Sequence, residues 1–154
     1  MDKTIVTALL VIAGVISAVF VFNSIYPAIV QSSDAMISME RRMDERLKSD
    51  IQIIHASKSI TTTTLVWVKN VGSLRVAPVE ACDIFFGAEG NFVRIPYGTG
   101  DGEWQYTLEG AAAEWTPSAT VKITIKTALT PGVRYFIKIV LVNGVSDESY
   151  FSVR

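Results

Sequence analysis

Residues 4–22 run for nineteen positions without a charge (TIVTALLVIAGVISAVFVF), and the run starts near the N-terminus. About twenty helical residues span the roughly 30 Å hydrocarbon layer of a bilayer. Water therefore cannot be the final solvent of this segment, which ends in lipid or against copies of itself. Apolar residues continue through Ile25, Tyr26, Ala28, Ile29 and Val30. A secretory signal has a shorter apolar core, about 7 to 15 residues, closed by a small-residue cleavage site. Here the hydrophobic segment 4–30 passes directly into a one-sided pattern over 31–56, and the two read as one N-terminal helix, 1–56, retained in the working protein. Asp2 offsets Lys3 and the far flank is mixed in sign, so flanking charge sets no orientation.

Within the amphipathic part, 31–56, Met36, Met39, Met43, Leu47, Ile51 and Ile54 recur at spacings of three and four, one stripe of a helix. Glu40, Arg41, Arg42, Asp44, Glu45, Arg46, Lys48 and Asp50 fill the other faces with alternating signs. That is the pattern of a solvated face over a hydrophobic seam. Methionines in such a seam suit a contact that adapts to its neighbour. Pro27 conflicts with a regular helix: it lacks a donor and its ring crowds the carbonyl of Asn23, which predicts a kink or lost hydrogen bonds around 23–26.

After residue 57 the helix signals stop. Threonines 61–64 lead into Leu65, Val66, Trp67, Val68 and Lys69, a strand-favouring run. Further strands are expected at 82–86, 91–95, 103–108, 120–127, 133–142 and 148–153. Asn70 and Gly72, Gly87 and Gly90, the loop 97–102, Pro117, Gly132 and Asn143-Gly144 separate them. Val121, Ile123 and Ile125 alternate with Lys122, Thr124 and Lys126, so one face of that strand is buried and the other is wet. Asn143-Gly144 between apolar runs predicts a type I′ hairpin turn, with positive φ at both central residues. Short strands at this spacing give an α+β chain: a long N-terminal hydrophobic helix, then an immunoglobulin-like antiparallel β-sandwich head over 57–154.

Chemistry is sparse. His55 stands at the end of the predicted helix without a second histidine or a cysteine to complete a metal site. The stretch 98–102 lacks the lysine and following helix of a phosphate loop and the spaced carboxylates of a calcium loop, so it reads as a flexible hairpin tip. Asp83, Glu89 and Asp101 are isolated carboxylates. The residues predict no enzyme, no cofactor and no metal. The formal net charge of −1 argues against nucleic acid, which needs a dense basic surface. Cys82 is a lone cysteine among Ala81, Ile84, Phe85 and Phe86, the setting of a buried, inert thiol. Trp67, mid-strand, is expected in the core, whereas Trp104 and Trp115 flank loops and read either as core edge or as a contact with another chain. There is no Asn-x-Ser/Thr sequon.

An uncleaved hydrophobic helix, an amphipathic stretch and a β-sandwich in that order resemble the archaeal type IV pilin-like proteins. The likeness is to the archaellum group in particular: the archaellins of the swimming filament and the accessory proteins F and G. In the head, Trp67, Lys69, Asn70 and Gly72 lie in a stretch, 66–73, that looks like the strand and turn of the accessory proteins. A second similar stretch, 132–147, includes Asn143, Gly144, Ser146 and Asp147. Two features depart from the wider superfamily: no basic leader precedes the hydrophobic run, which implies mature numbering or different processing, and the glutamate that bacterial pilins carry near the start is missing.

The resemblance implies a filament subunit as the expected role, with an accessory role as the alternative. In the first, the chain is a filament subunit, a homo-oligomer in a helical assembly that is inserted in the membrane before assembly and ends at the cell surface with β heads outside. Its assembly seam would be Ile5, Leu9, Ile12, Ile16, Val19 and Phe20, continued by Met36, Met39, Met43 and Leu47. In the second, it is a membrane-anchored accessory or stator protein whose head binds a surface-layer protein.

Overall fold

Small and aliphatic residues on every face favour a helix, and the N-terminal segment forms one, α1 (Asp2–Lys48), in the computed structural model, which describes residues 2–60, 62–110 and 112–153. Pro27 lies inside α1 without ending it. The apolar side chains along α1 are exposed, from Ile5 at 59% to Leu47 at 84%. The chain divides into two units, Met1–Arg42 and Met43–Arg154, so the last turns of α1 belong with the head.

The helix stops earlier than the periodicity suggests. Ile51, Ile54 and His55, read as the end of the helical stripe, instead lie on β1 (Ile51–Ile60). This strand pairs antiparallel with β2 (Thr63–Asn70), Ile51 opposite Asn70 and His55 opposite Trp67. Pairing overrides local spacing here, because an apolar residue every three or four positions fits a helix face and an irregular strand alike. The remaining strands fall close to their expected places: β3 (Asp83–Ala88), β4 (Asn91–Ile95), β5 (Trp104–Leu108), β6 (Thr120–Ile125), β7 (Arg134–Val140) and β8 (Ser146–Ser152). Residue 61, where the sequence places the start of its first strand, lies outside the described residues.

Two four-stranded antiparallel sheets result, ordered β1-β2-β6-β5 and β4-β3-β7-β8. Their inner faces interleave Val66, Val68, Ile123 and Ile125 with Ile84, Phe86, Ile137 and Ile139 in one core. Both loop tryptophans join it: Trp104 and Trp115 are each 1% exposed, and Trp115 Nε1 donates to Ala119 O at 3.2 Å. Trp67 does not. Strand parity puts Thr64, Val66, Val68 and Asn70 inside, which turns Trp67 to the outer face, where its ring lies 5.5 Å from that of His55. Cys82 is buried as expected, and desolvation pushes its thiol up to about 11.

Two turns differ from their sequence reading. Between β7 and β8, Gly144 N donates to Leu141 O and Leu141 N to Val145 O, both at 2.8 Å. Only Gly144, at φ +83°, has positive φ there, since Asn143 is not among the positive-φ residues. The hairpin is therefore a turn closed by a glycine bulge, which needs one left-handed residue where type I′ needs two. The loop 97–102 is no hairpin tip, since it joins β4 to β5 in the other sheet; Gly100 N donates to the Glu103 carboxylate at 2.6 Å, Lys126 Nζ to Thr99 O at 2.5 Å, and Gly102 N to Lys126 O at 2.6 Å.

Candidate functional site

The two head stretches singled out in the sequence meet at the exit of α1. A helix ends with carbonyls that have no intrahelical partner, and the loop after β2 supplies donors for them. Ser73 N donates to Lys48 O at 2.8 Å, and Val71 N and Gly72 N each reach Asp50 O at 3.0 Å. Gly72 is required by space: a Cβ there would fall 2.5 Å from Asp50 N and 2.6 Å from Lys48 O.

Asn70 holds that loop in shape. Its side chain is fully buried, and its Nδ2 donates to Leu74 O at 2.8 Å and to Trp115 O at 3.2 Å, while its Oδ1 accepts from Gly72 N at 3.1 Å. A buried amide costs stability unless its donors and acceptor are matched, and here they are.

The β7–β8 turn grips the same segment from the second sheet. Arg46 Nε donates to Asn143 O at 2.8 Å, Asn143 Nδ2 donates to Ser49 Oγ at 2.7 Å, and Asn143 Oδ1 accepts from Val145 N at 3.1 Å. Gly144 keeps the Arg46 guanidinium close, since a Cβ would stand 3.3 Å from its Nη2. Asp147 Oδ2 accepts from Ile53 N at 2.7 Å, at the bulge where β1 shifts register against β2. Five motif residues thus converge on 46–53: Asn70, Gly72, Asn143, Gly144 and Asp147. Trp67 and Lys69 point outward from β2, and Ser146 is exposed at the start of β8. Arg46, Ser49, Asp50 and Ser73 complete the clasp; Arg46 and Asp50 read in the sequence only as part of a solvated helix face, Ser73 only as the end of the 66–73 stretch, and Ser49 carried no signal.

The arrangement is mechanical. It ties the last turns of the helix and the first residues of β1 to both sheets with backbone and side-chain hydrogen bonds. Among the described residues no group of histidine, cysteine, aspartate and glutamate could hold a metal. A shifted pair, Glu80 with Tyr106, lies on the surface elsewhere: Tyr106 OH donates to Glu80 at 2.6 Å, which lowers the carboxyl and raises the phenol to about 12. The candidate seam residues of α1 are exposed, and the helix is long and apolar enough to cross a membrane.

No protein-family model matches the chain. A protein of Archaeoglobus fulgidus, described as uncharacterized, is 29% identical over 161 aligned residues, covering 97% of this chain and 98% of its own. Among solved structures, the archaellum periplasmic stator protein FlaG of Sulfolobus acidocaldarius matches at 24% identity and TM-score 0.60, over 67% of this chain and 99% of its own. A chain of the FlaF–FlaG stator complex from the same organism matches at 25% identity and TM-score 0.57, over 66% of this chain and 87% of its own. The archaeal flagellum of Methanospirillum hungatei matches at 15% identity and TM-score 0.62, over 96% of this chain and 91% of its own.

Proposed function

We propose that this chain, by its fold an archaellum-group protein of the archaeal type IV pilin-like superfamily, is a membrane-anchored accessory component of stator type, with its β head at the cell surface. One observation carries the reading. Residues 4–33 have no charge, whereas seven of the nine residues 40–48 are charged and surround α1 outside the Met43–Leu47 stripe. A filament core that enclosed residues 40–48 on all sides would bury charge at that density, which without a partner for each costs several kcal/mol per ion. An anchor avoids the cost: the uncharged segment lies in lipid and the charged turns stand in water. Matches to the stator proteins at 24% and 25% identity over about two thirds of the chain support the same reading.

The filament role is the second reading, and what favours it is coverage: the flagellum match takes in 96% of the chain, helix included. Cell fractionation decides between them. The accessory role requires this chain in membranes after filaments are sheared off, and loss of swimming when it is deleted. Density for this sequence repeating along the sheared filament would overturn it.

A further inference from the structure

Beyond the uncharged segment, α1 keeps an apolar stripe where the anchored reading puts water. Met36, Met39, Met43 and Leu47 are 71, 64, 55 and 84% exposed. At about 100° of rotation per residue the four fall within a stripe roughly 80° wide. Its two borders differ in sign. Glu40 and Asp44 lie about 60° and 100° to one side of the stripe's centre, and Arg46 and Arg42 about 60° and 100° to the other.

That asymmetry selects a partner and a direction. In a parallel two-fold pair of such helices, the acidic border of each faces the basic border of the other; in an antiparallel pair, acid faces acid and base faces base. Two copies anchored in one membrane leave it in the same direction, which is the favourable case. We propose that the 36–47 segment of α1 pairs in parallel with the same segment of a second copy of this chain, just outside the membrane. Met36, Met39, Met43 and Leu47 form the seam of that pair, and Glu40 and Asp44 lie opposite Arg42 and Arg46 of the other copy. The inference rests on the anchored reading, since only there does the stripe meet water.

Existing contacts are compatible with the pairing. Lys48 bridges Asp44 at 2.7 Å from the outer side, with both side chains about half exposed. Arg46 binds Asn143 O through Nε, one of the five N–H donors of a guanidinium. Methionine at three of the four seam positions packs without a strict shape.

Disulfide trapping in native membranes tests the pair, using the full chain with Cys82→Ala as background. Met36→Cys and Met43→Cys are expected to give like-to-like disulfide dimers in most of the protein under mild oxidation, and Glu45→Cys, on the opposite face, less than a tenth as much. Adding Glu40→Arg with Asp44→Arg to Met43→Cys should cut the dimer at least fivefold. Co-expression with a Met43→Cys chain carrying Arg42→Glu should restore it. Equal trapping at positions 43 and 45, or none at 36 and 43 in protein recovered from membranes, overturns the pairing and leaves the accessory role standing. Recovery of the chain in sheared filaments, cross-linked between unlike positions, overturns both.

Discussion

Asn143 lies across the exit of α1, its Nδ2 donating to Ser49 Oγ at 2.7 Å while its backbone oxygen accepts from Arg46 Nε at 2.8 Å. One turn of the second sheet therefore holds both the last turn of the helix and the residue that follows it. Asn143→Ala keeps the carbonyl and removes the two side-chain bonds, to Ser49 and from Val145 N. At about 1 kcal/mol per bond, the variant should lose about 2 kcal/mol of head stability. Hydrogen exchange should speed up at 46–50 and stay unchanged in β3 and β7. Uniform acceleration across the head would show that the turn supports the sandwich and not the helix exit.

Gly72 and Gly14 make a matched pair of alanine substitutions. A Cβ at Gly72 collides with Asp50 N and Lys48 O, both backbone atoms that cannot swing away, whereas a Cβ at Gly14 meets nothing within 4 Å. Gly72→Ala should cost about 1–3 kcal/mol through forced backbone shifts. Gly14→Ala should be neutral or slightly favourable, because glycine is a poor helix former. Thermal melts in detergent read both, and equal melting temperatures for the two variants would contradict the close approach.

Strand and helix types were legible wherever one pattern excluded the other. The alternation of Val121, Ile123 and Ile125 left no helical alternative, and the apolar run 4–22 left no strand alternative. Ile51 and Ile54 were misplaced because their spacing satisfies both patterns. What ends α1 is the loop about residues 70–73, which takes the Lys48 and Asp50 carbonyls from twenty or so residues downstream and leaves no mark on the local pattern. Trp67 was misread for a related reason: residues on either side of it are apolar, so the sequence does not fix which parity faces inward. The motif residues could be named from the sequence as strand and turn, but their meeting at 46–53 depends on two sheets packing together. No single segment carries that information.

Thr64 offers a gain. Its hydroxyl is fully buried with no hydrogen-bond partner among the described residues, and a buried unmatched polar group costs about 1–3 kcal/mol. Thr64→Val keeps the β-branched shape and removes the group, so stability should rise by about 1 kcal/mol in denaturant titration. A loss of stability would reveal a water or a partner satisfying the hydroxyl.

Cys82 sets an alkaline limit. The thiol rises from an ordinary 9.0 to about 11 because burial disfavours the thiolate, with Asp83 and Glu80 adding to the effect. A raised folded value means its contribution is complete below about pH 9 and is lost as pH climbs toward 11, since the unfolded chain ionises first. Stability should fall over that window, and less steeply in Cys82→Ala. Thiol reagents at pH 8 should label the native protein only as it opens. Rapid labelling at pH 8 without unfolding would mean the thiol is accessible.

The last test concerns the uncharged segment. Ile16 is 62% exposed on α1 and lies near the middle of residues 4–30. A lysine at the centre of a membrane helix opposes insertion by about 2.5–3.5 kcal/mol, and position 16 is too far from either end of the segment for the side chain to reach water easily. Ile16→Lys should therefore shift much of the protein out of the membrane fraction, while Met39→Lys, in the stripe beyond the uncharged segment, should leave membrane attachment intact even where it weakens the helix pair. The contrast separates lipid from helix packing as the surrounding of the segment. In a bundle of identical helices both substitutions bury a charge against protein and both should block assembly; in an anchor only the first is costly to insertion. Carbonate extraction of membranes, read by immunoblot, measures it, and equal retention of the two variants would count against a bilayer around residue 16.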